Sequence, residues 1–302
     1  MDVSVTIVNW NRAALLAECL RSVFATPRTL AYEVIVVDNA STDDSVAMVR
    51  ERFPDVRLIA NAGNPGFGRA QNQAIAVARG RYVLMLNNDA TLEPGTMPAL
   101  VRLMDDHPRA GASSCPDRAQ VALGTATSGA FRAFPSLGRT VVENVWAVVR
   151  PPRTWDIRWL TAPVHRWIGD ELPASGVVDV AWLVGALLVV RRDVMTQIGG
   201  FDEGFFLFDE DADLCRRIRA SGWSILFTTA TAFSHRGGAS SALRDDLEKV
   251  RGESRAHYFR KHAGRWTTAA FRVQHFVLRR CLLSWRRQLR RSRGAPALRP
   301  VA

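Results

Sequence analysis

The sequence predicts an α/β fold with a Rossmann-like, mostly parallel central sheet flanked by helices. Two observations support this prediction. Over about the first 115 residues, short apolar runs alternate with helix-like stretches, and polar residues follow several of these runs directly. Repeated β-α units build a parallel sheet, because each crossover helix returns the chain to the same end of the sheet. The apolar content of 47% and charged content of 23% are typical of a globular protein.

The first half of the chain contains four predicted strands. Val3–Val8 is a mostly apolar run, interrupted by Ser4 and Thr6, and it predicts a buried strand. The other strands are predicted over residues 33–37, 56–59 and 82–86. Helices are predicted over residues 13–24 and 42–53. A third helix follows the loop 61–68 and ends at residue 78, and a fourth begins at Pro94. Ser41 or Thr42 is the expected N-cap of the second helix.

The second half is less regular, and residues 116–178 are rich in Trp, Arg and Pro. Val180–Val190 predicts a further apolar strand, and Ile225–Phe227 a short one. We therefore predict one domain over residues 1–240, with a nucleotide-binding half (1–115) and an acceptor and catalytic half (116–240). A basic helical extension is predicted over residues 241–302.

Four widely spaced cysteines without a CxxC pair predict neither a zinc site nor a disulfide framework. The start of the chain lacks the pattern of a signal peptide, and the longest apolar run is too short to span a bilayer. The protein is therefore expected in the cytoplasm, or on the cytosolic face of the plasma membrane.

The net charge of +11 comes from the end of the chain. From Arg255 onward there are 13 Lys and Arg residues and no Asp or Glu, which leaves 27 basic and 29 acidic residues before it. An apolar stripe at helical spacing runs through the same region: Phe271, Leu278, Leu282, Trp285 and Leu289. A basic amphipathic helix is typical of binding to an anionic membrane surface. The alternative is a helix that packs on the protein with its arginines in water.

Asp38 and Asp89 each follow an apolar strand, at the edge of the sheet where α/β proteins bind ligands. Asp38 is either a turn residue or an acceptor for the base or ribose of a nucleotide. The turn Asn87-Asn88-Asp89 is either merely polar or a site for Mg²⁺ or Mn²⁺ that neutralises a diphosphate.

Four acids lie within the five residues Asp209–Asp213. They form a solvated helix N-terminus, or they meet a cation or substrate that relieves their repulsion. Asp213 has the spacing for a helical ion pair with Arg217. Aromatic residues just before the cluster favour a partly buried position, where a carboxylate gains a raised pKa and works as a general base. His235 has a functional interpretation only as a partner of Asp89.

Seven segments in this order resemble the inverting family 2 glycosyltransferases of GT-A fold, and most closely the bacterial rhamnosyltransferase-like enzymes. They are VTIVNWN (5–11), VVDNAST (36–42), NPGF (64–67), LNND (86–89), GGFDE (199–203), EDADLCRR (210–217) and Ser234-His235.

The resemblance implies a role for each matching position. Asp211 is the catalytic base, and Asp89 and His235 hold a divalent metal, Mg²⁺ or Mn²⁺. Asn87 stands where the metal motif has an acid in other members. The nucleotide sugar is bound by Asn9, Asn11, Asp38, Asn64, Arg69 and Asn88. Trp182 would contact the acceptor, and Glu210 and Asp213 would either contact the acceptor or support the residues that do.

The expected reaction is transfer of a sugar, with rhamnose favoured, from a dTDP-, UDP- or GDP-linked donor to a glycan or polyprenyl-linked acceptor. A soluble small-molecule acceptor is an alternative, and a homo-oligomer is left open. A nucleic-acid-binding protein would use the Arg-rich tail, but zinc and aromatic RNA-binding signatures are lacking, so no nucleic-acid partner is expected. A nucleotidyltransferase would need a glycine-rich basic loop after the first strand, where Asn9-Trp10-Asn11 stands instead.

Overall fold

The structure is a computed structural model, and it describes residues 1–27, 29–118, 131–141, 176–237 and 246–277. The helices are α1 (Ala13–Phe24), α2 (Ser45–Arg52), α3 (Phe67–Val77), α4 (Thr96–Asp106), α5 (Arg192–Ile198), α6 (Glu210–Ala220) and α7 (Leu247–His262). The strands are β1 (Val3–Asn9), β2 (Tyr32–Asp38), β3 (Arg57–Ala60), β4 (Tyr82–Asn87), β5 (Ala90–Leu92), β6 (Ala110–Ser114), β7 (Phe131–Arg132), β8 (Val177–Asp179), β9 (Trp182–Leu183), β10 (Leu187–Arg191), β11 (Ser224–Thr228) and β12 (Phe233–His235).

The central sheet has the strand order β3-β2-β1-β4-β10-β6-β11-β8. The first four strands in this order are parallel, as the β-α repeats predict. β10 lies antiparallel between β4 and β6, and β8 is antiparallel to β11 at the edge. Two short antiparallel pairs, β5 with β12 and β7 with β9, lie outside the main sheet. The predicted mostly parallel α/β sheet is thus confirmed.

The core forms because the central strands are largely apolar, and β1 contributes Val3, Val5 and Ile7 to it. β1 is buried along nearly its whole length, and α1 presents Leu16, Leu20 and Val23 to the same core at helical spacing. Fully burying one such side chain contributes about 1.5–3 kcal/mol. This packing fixes the ends of the strands, and therefore the loops that carry the polar residues.

Two local predictions are wrong. Val180–Val190 is not one strand: β9 ends at Leu183 and β10 begins at Leu187, with Gly185 in the turn between them. Ser41 and Thr42 do not cap α2, which begins at Ser45 with Asp44 in the N-cap position. The Ser41 hydroxyl instead donates to the Asp38 carboxylate at 2.7 Å.

The chain divides into two compact units. The first comprises Met1–Phe134 and Ile157–Ser254, and the second Pro135–Asp156 and Arg255–Ala302. The predicted domain boundary at residues 240–241 stays a prediction, whereas the packing assigns residues up to Ser254 to the first unit. Within the described ranges, no helix is both long and apolar enough to cross a bilayer.

The described part of the second unit has a small core of its own. Arg255 donates to the Thr140 hydroxyl at 3.1 Å, and the rings of Phe259 and Phe271 lie 5.2 Å apart. Phe271, the first residue of the apolar stripe identified in the sequence, is only 2% exposed. The other stripe residues, Leu278, Leu282, Trp285 and Leu289, lie outside the described residues.

Candidate active site

The carboxyl ends of β1 and β2 carry a closed set of hydrogen bonds around Asp38. The Asn9 amide donates to Asp38 Oδ2 at 2.9 Å. The Ser41 backbone N–H and hydroxyl donate to Oδ1 and Oδ2 at 2.8 and 2.7 Å. With only 1% of its surface exposed, Asp38 organises the turn after β2. Its predicted contact with a nucleotide stays a prediction.

Two further predicted nucleotide contacts adjoin this set. Asn88 Nδ2 donates to Asn9 Oδ1 at 2.7 Å, which joins β1 to the turn after β4. Asn11 has a positive φ of 51°, and its Oδ1 accepts the Thr42 N–H at 2.6 Å. The structure therefore brings Asn9, Asp38 and Asn88 together at one edge of the sheet, with Asn11 hydrogen-bonded to the same turn.

The loop before α3 is shaped by Asn64. Its Oδ1 accepts the Gly66 N–H at 3.0 Å and the Asn39 amide at 3.3 Å. Gly66 has a φ of +93°, and a Cβ there would lie 2.6 Å from the Phe206 carbonyl oxygen. The Phe67 N–H donates to that same oxygen at 2.9 Å. The loop is thereby docked on the segment that leads to α6, and only glycine fits the contact.

Arg69, at the start of α3, is paired with Glu203. The guanidinium Nε lies 2.8 Å from Glu203 Oε2, and the Asn72 amide donates to Oε1 at 3.2 Å. The Arg69 side chain is 54% exposed, so its ion pair contributes little to stability. The predicted contact of Arg69 with a donor stays a prediction.

β5 and β12 bring Asp89 and His235 together, since His235 pairs with Ala90 directly after Asp89. Asp89 Oδ1 and His235 Nε2 lie 3.1 Å apart. Asn87 Nδ2 lies 3.4 Å from the same ring nitrogen. Asp89 and His235 line a pocket of about 430 Å³, whose other walls are Leu15, Glu18, Thr91, Ser234 and Arg236.

The metal-ligand atoms at this pocket fit a divalent cation whose coordination is completed by a substrate. Asp89 supplies a carboxylate oxygen and His235 an imidazole nitrogen, close enough to share one ion. Across the described ranges, no cluster of three or more His, Cys, Asp or Glu side chains could hold a metal alone. Mg²⁺ bound in enzymes usually takes one or two carboxylates and fills its remaining positions with water and phosphate oxygens. The pair therefore suits a cation bound together with a diphosphate.

Asp211 lies in the first turn of α6. Its Oδ2 accepts the Gly185 N–H and its Oδ1 the Ala212 N–H, both at 2.8 Å. Burial and the nearby charge of Asp209 raise the pKa of Asp211 to about 6, although the two N–H donors favour the ionised form. A carboxylate with a pKa near neutrality is matched to general-base catalysis.

The carboxylate of Glu210 has fewer hydrogen-bond partners than that of Asp211. It is 7% exposed, and its Oε2 has no hydrogen-bond partner in the described part of the chain. Burial, with the charges of Asp211 and Asp209, raises the pKa of Glu210 well above its usual range. Phe208 and Asp209 have φ values of 73° and 62°, which is strained for residues with a Cβ. Perturbed acids and backbone strain are concentrated at functional sites.

The structure buries all three predicted acceptor contacts, since Asp213 and Trp182 are buried as well as Glu210. Asp213 is 0% exposed and pairs with Arg217 at 2.8 Å, as the helical spacing predicts. Trp182 is 5% exposed and lies in β9. A direct contact between the acceptor and either residue would require movement, and the predicted acceptor contacts stay predictions.

The turn between β9 and β10 links the acidic helix to the Asp89 turn. The Gly185 N–H donates to Asp211, and the carbonyl of the next residue, Ala186, accepts the Asn87 N–H at 3.0 Å. Two adjacent residues thus join Asp211 to the strand end that precedes Asp89.

Sequence reasoning missed three residues of this region. They are Ser41, which donates twice to Asp38; Gly185, which donates to Asp211; and Asp117, whose Oδ1 accepts the His235 N–H at 3.3 Å. Asp117 lies three residues after β6. An acid soon after a strand was therefore a signal that could have found it.

Fold and site together define a glycosyltransferase of GT-A fold. The chain belongs to glycosyltransferase family 2: the family model described as "Glycosyl transferase family 2" matches residues 4–148. It is 31% identical over 289 residues to the N-acetylglucosaminyl-diphospho-decaprenol L-rhamnosyltransferase of Mycobacterium tuberculosis, across 89% of this chain and 88% of that protein. It is 23% identical over 210 residues to rhamnosyltransferase WbbL of Escherichia coli, across 66% of this chain and 70% of WbbL.

Solved structures share the fold at low sequence identity. The mannosyltransferase PcManGT from Pyrobaculum calidifontis, in complex with GDP-Man and Mn²⁺, aligns with a TM-score of 0.53 and 20% identity over 94% of this chain and 82% of its own. S. aureus TarS 1–349, in complex with UDP-GlcNAc, aligns with a TM-score of 0.54 and 17% identity over 92% and 73%. The predicted family and fold are confirmed.

Proposed function

We propose that this glycosyltransferase is inverting and metal-dependent, and that it transfers rhamnose from a nucleoside-diphosphate donor to a polyprenyl-linked glycan of the cell wall or surface polysaccharide. The observation that carries the proposal is the position of the Asp211 carboxylate. It accepts the Gly185 N–H, and the next residue, Ala186, contacts Asn87 at the strand end that precedes Asp89. The mycobacterial relative supports the sugar and the acceptor, because its name specifies a rhamnosyltransferase for N-acetylglucosaminyl-diphospho-decaprenol.

In this reaction Asp211 removes the proton from the acceptor hydroxyl. A pKa of about 6 leaves the carboxylate mostly ionised at neutral pH, while keeping its affinity for a proton above that of an ordinary Asp. The acceptor oxygen then attacks the anomeric carbon from the face opposite the leaving diphosphate, so the configuration inverts. The buried Glu210, next to Asp211, would accept a hydrogen bond from the acceptor or donate one to it.

The donor would lie along the edge formed by Asn9, Asn11, Asn64 and Asn88, with Asp38 fixing the turn that meets the nucleotide. Arg69 would leave Glu203 to meet the donor. Asp89 and His235 would hold Mg²⁺ or Mn²⁺, which offsets the charge that develops on the diphosphate. The complexes of the structural neighbours with GDP-Man, UDP-GlcNAc and Mn²⁺ support such ligands. Because a polyprenyl-linked acceptor is anchored in the bilayer, the enzyme would work on the cytosolic face of the plasma membrane.

A transfer assay tests the proposal. The purified chain is incubated with dTDP-, UDP- and GDP-linked sugars and a short-chain polyprenyl-diphosphate N-acetylglucosamine, in Mg²⁺, in Mn²⁺ or in excess EDTA. We expect transfer from one nucleotide class, with product of inverted anomeric configuration by NMR and loss of activity in EDTA.

Each part of the proposal has its own contrary outcome. Undiminished turnover in EDTA would rule out the proposed metal dependence. Retention of configuration would rule out a single displacement with Asp211 as the general base. Transfer to a soluble saccharide but not to the lipid-linked acceptor would remove the acceptor class. His235→Ala, which removes a proposed metal ligand, should lower turnover, and His107→Ala is its matched control because His107 lies outside the pocket, where it contacts the Leu103 carbonyl.

A further inference from the structure

The helix at the end of the described second unit has two unlike faces. Residues 264–277 are helical. Thr268 and Phe271 are 6% and 2% exposed, and Phe271 packs against Phe259. The Gln274 amide donates to the Leu137 carbonyl at 3.3 Å. This face anchors the helix to its own unit.

The other face of the helix is apolar and open to solvent. Trp266, Val273 and Val277 are 77%, 65% and 50% exposed. Their spacings of seven and four residues place them on one side of the helix. The exposed Ala269, Ala270 and Phe276 fill the same stretch. Contiguous apolar stripes of this length are uncommon on soluble monomers and mark interaction surfaces.

The charge around this stripe argues for the nature of its partner. The Arg265 guanidinium lies over the Trp266 ring at 5.2 Å, and Arg272 is exposed between the apolar residues. From Arg255 onward the chain has 13 Lys and Arg and no acid. A second copy would present the same positive charge and be repelled, whereas an anionic surface would be attracted.

We propose that the face formed by Trp266, Val273, Phe276 and Val277 docks on an anionic lipid bilayer. The apolar side chains enter the boundary between headgroups and acyl chains, and the flanking arginines meet the lipid phosphates. Trp is the side chain most typical of that interface. The proposal deepens the proposed function, on whose lipid-linked acceptor it rests, and it uses a different face of the helix from the one that contains Phe271.

Vesicle flotation of the full chain, with no acceptor present, tests the docking face. Vesicles of phosphatidylcholine alone are compared with vesicles that also contain phosphatidylglycerol. W266S/V273S/V277S removes the apolar contacts, and V177S is the matched control, because Val177 is 42% exposed on β8. We expect the triple variant to lose at least about tenfold in partition coefficient on the anionic vesicles, while V177S binds as the wild type does. Raising the salt concentration should also weaken wild-type binding.

Several results would overturn the docking face. They are triple-variant binding equal to the wild type, equal wild-type binding to both vesicles, or a wild-type dimer that the triple substitution converts to monomer in sedimentation. If the triple variant fails to fold by circular dichroism, W266S alone serves, with an expected loss of about threefold or more. Without vesicles, transfer to the short-chain polyprenyl-diphosphate N-acetylglucosamine should be the same in both proteins. Absence of that transfer in the wild type would contradict the proposed function and leave the flotation result standing.

Discussion

The two ends of the candidate site hold their acids in opposite ways. Asp38, 1% exposed, accepts three hydrogen bonds from Asn9 and Ser41. Glu210, 7% exposed, has an oxygen without a hydrogen-bond partner in the described residues, and the charges of Asp209 and Asp211 act on it. One end stabilises its negative charge, and the other concentrates charge that burial opposes.

This difference indicates which end performs the chemistry. A buried carboxylate with three donors is a structural element, because its charge is stabilised and its geometry fixed. Buried acids with few donors destabilise the fold and have raised pKa values, and such groups persist where catalysis needs them. We therefore expect substitutions near Asp38 to affect mainly stability, and substitutions at Asp211 to affect mainly turnover.

The largest expected effect is on turnover in D211N. Asparagine is nearly isosteric but cannot take a proton, so kcat should fall by about 100-fold or more, which is about 3 kcal/mol on the barrier. Steady-state kinetics with the transfer assay measure the loss, with D55N as the control at an exposed acid. A folded D211N enzyme that keeps more than about a tenth of wild-type kcat would show that Asp211 is not the base.

The next effect is the acid limb of the pH profile. Since Asp211 must be ionised to accept a proton and its pKa is about 6, kcat/KM should be flat above neutrality and fall below that value. The fall should approach about tenfold per pH unit. Profiles at saturating metal, from about pH 5 to about pH 8, measure this limb. A profile that stays flat to the acid end would contradict the assignment.

Most of the fold was predictable, because the relevant signals are local. The largely apolar run of β1 and the periodic face of α1 each determine an element without distant contacts. The break between β9 and β10 was not predictable. Gly185 lies in an apolar run, and the partner of its N–H, Asp211, is 26 residues further along the chain.

The candidate site was predictable in its residue types but not in its contacts. Strand-end acids and His235 stand out in the sequence, and the structure brings His235 to 3.1 Å from Asp89. The burial of Asp213 and Trp182 depends on how α6 and β9 pack, and no sequence period reports that. The two donations from Ser41 to Asp38 are likewise invisible, because a serine after a strand reads equally well as a helix cap.

D38N should lower the free energy of unfolding more than D44N, D55N or D211N does. The new amide nitrogen would face donors that now point at a carboxylate, so one or two charge-assisted hydrogen bonds are lost. We expect a loss of about 2–3 kcal/mol in the free energy of unfolding, measured by urea denaturation. D44N in the same turn is the control, because Asp44 is exposed and makes no side-chain cap. A midpoint unchanged from the wild type would contradict the structural role of Asp38.

The smallest expected effect is the change in stability of D211N. The Asp-to-Asn substitution that destabilises the protein at position 38 should stabilise it at position 211. The pKa of Asp211 is raised from 3.8 to about 6, so the folded state binds more protons than the unfolded state between these values. Wild-type stability from this group therefore falls as pH rises from about 4 to about 6, and the full penalty is present above that range. Asparagine removes the penalty but keeps only part of the hydrogen bonding to Gly185 and Ala212.

At pH ~7, D211N should therefore be more stable than the wild type by about 1 kcal/mol, or roughly 2 °C in Tm. The gain should vanish as pH is lowered to about 4, where the wild-type carboxyl, with its pKa of about 6, is itself protonated. Thermal melts of wild type, D211N and D38N at both pH values measure the comparison directly. If D211N is less stable than the wild type at neutral pH, Asp211 is held as favourably as Asp38, and the proposed division between structural and catalytic acids fails.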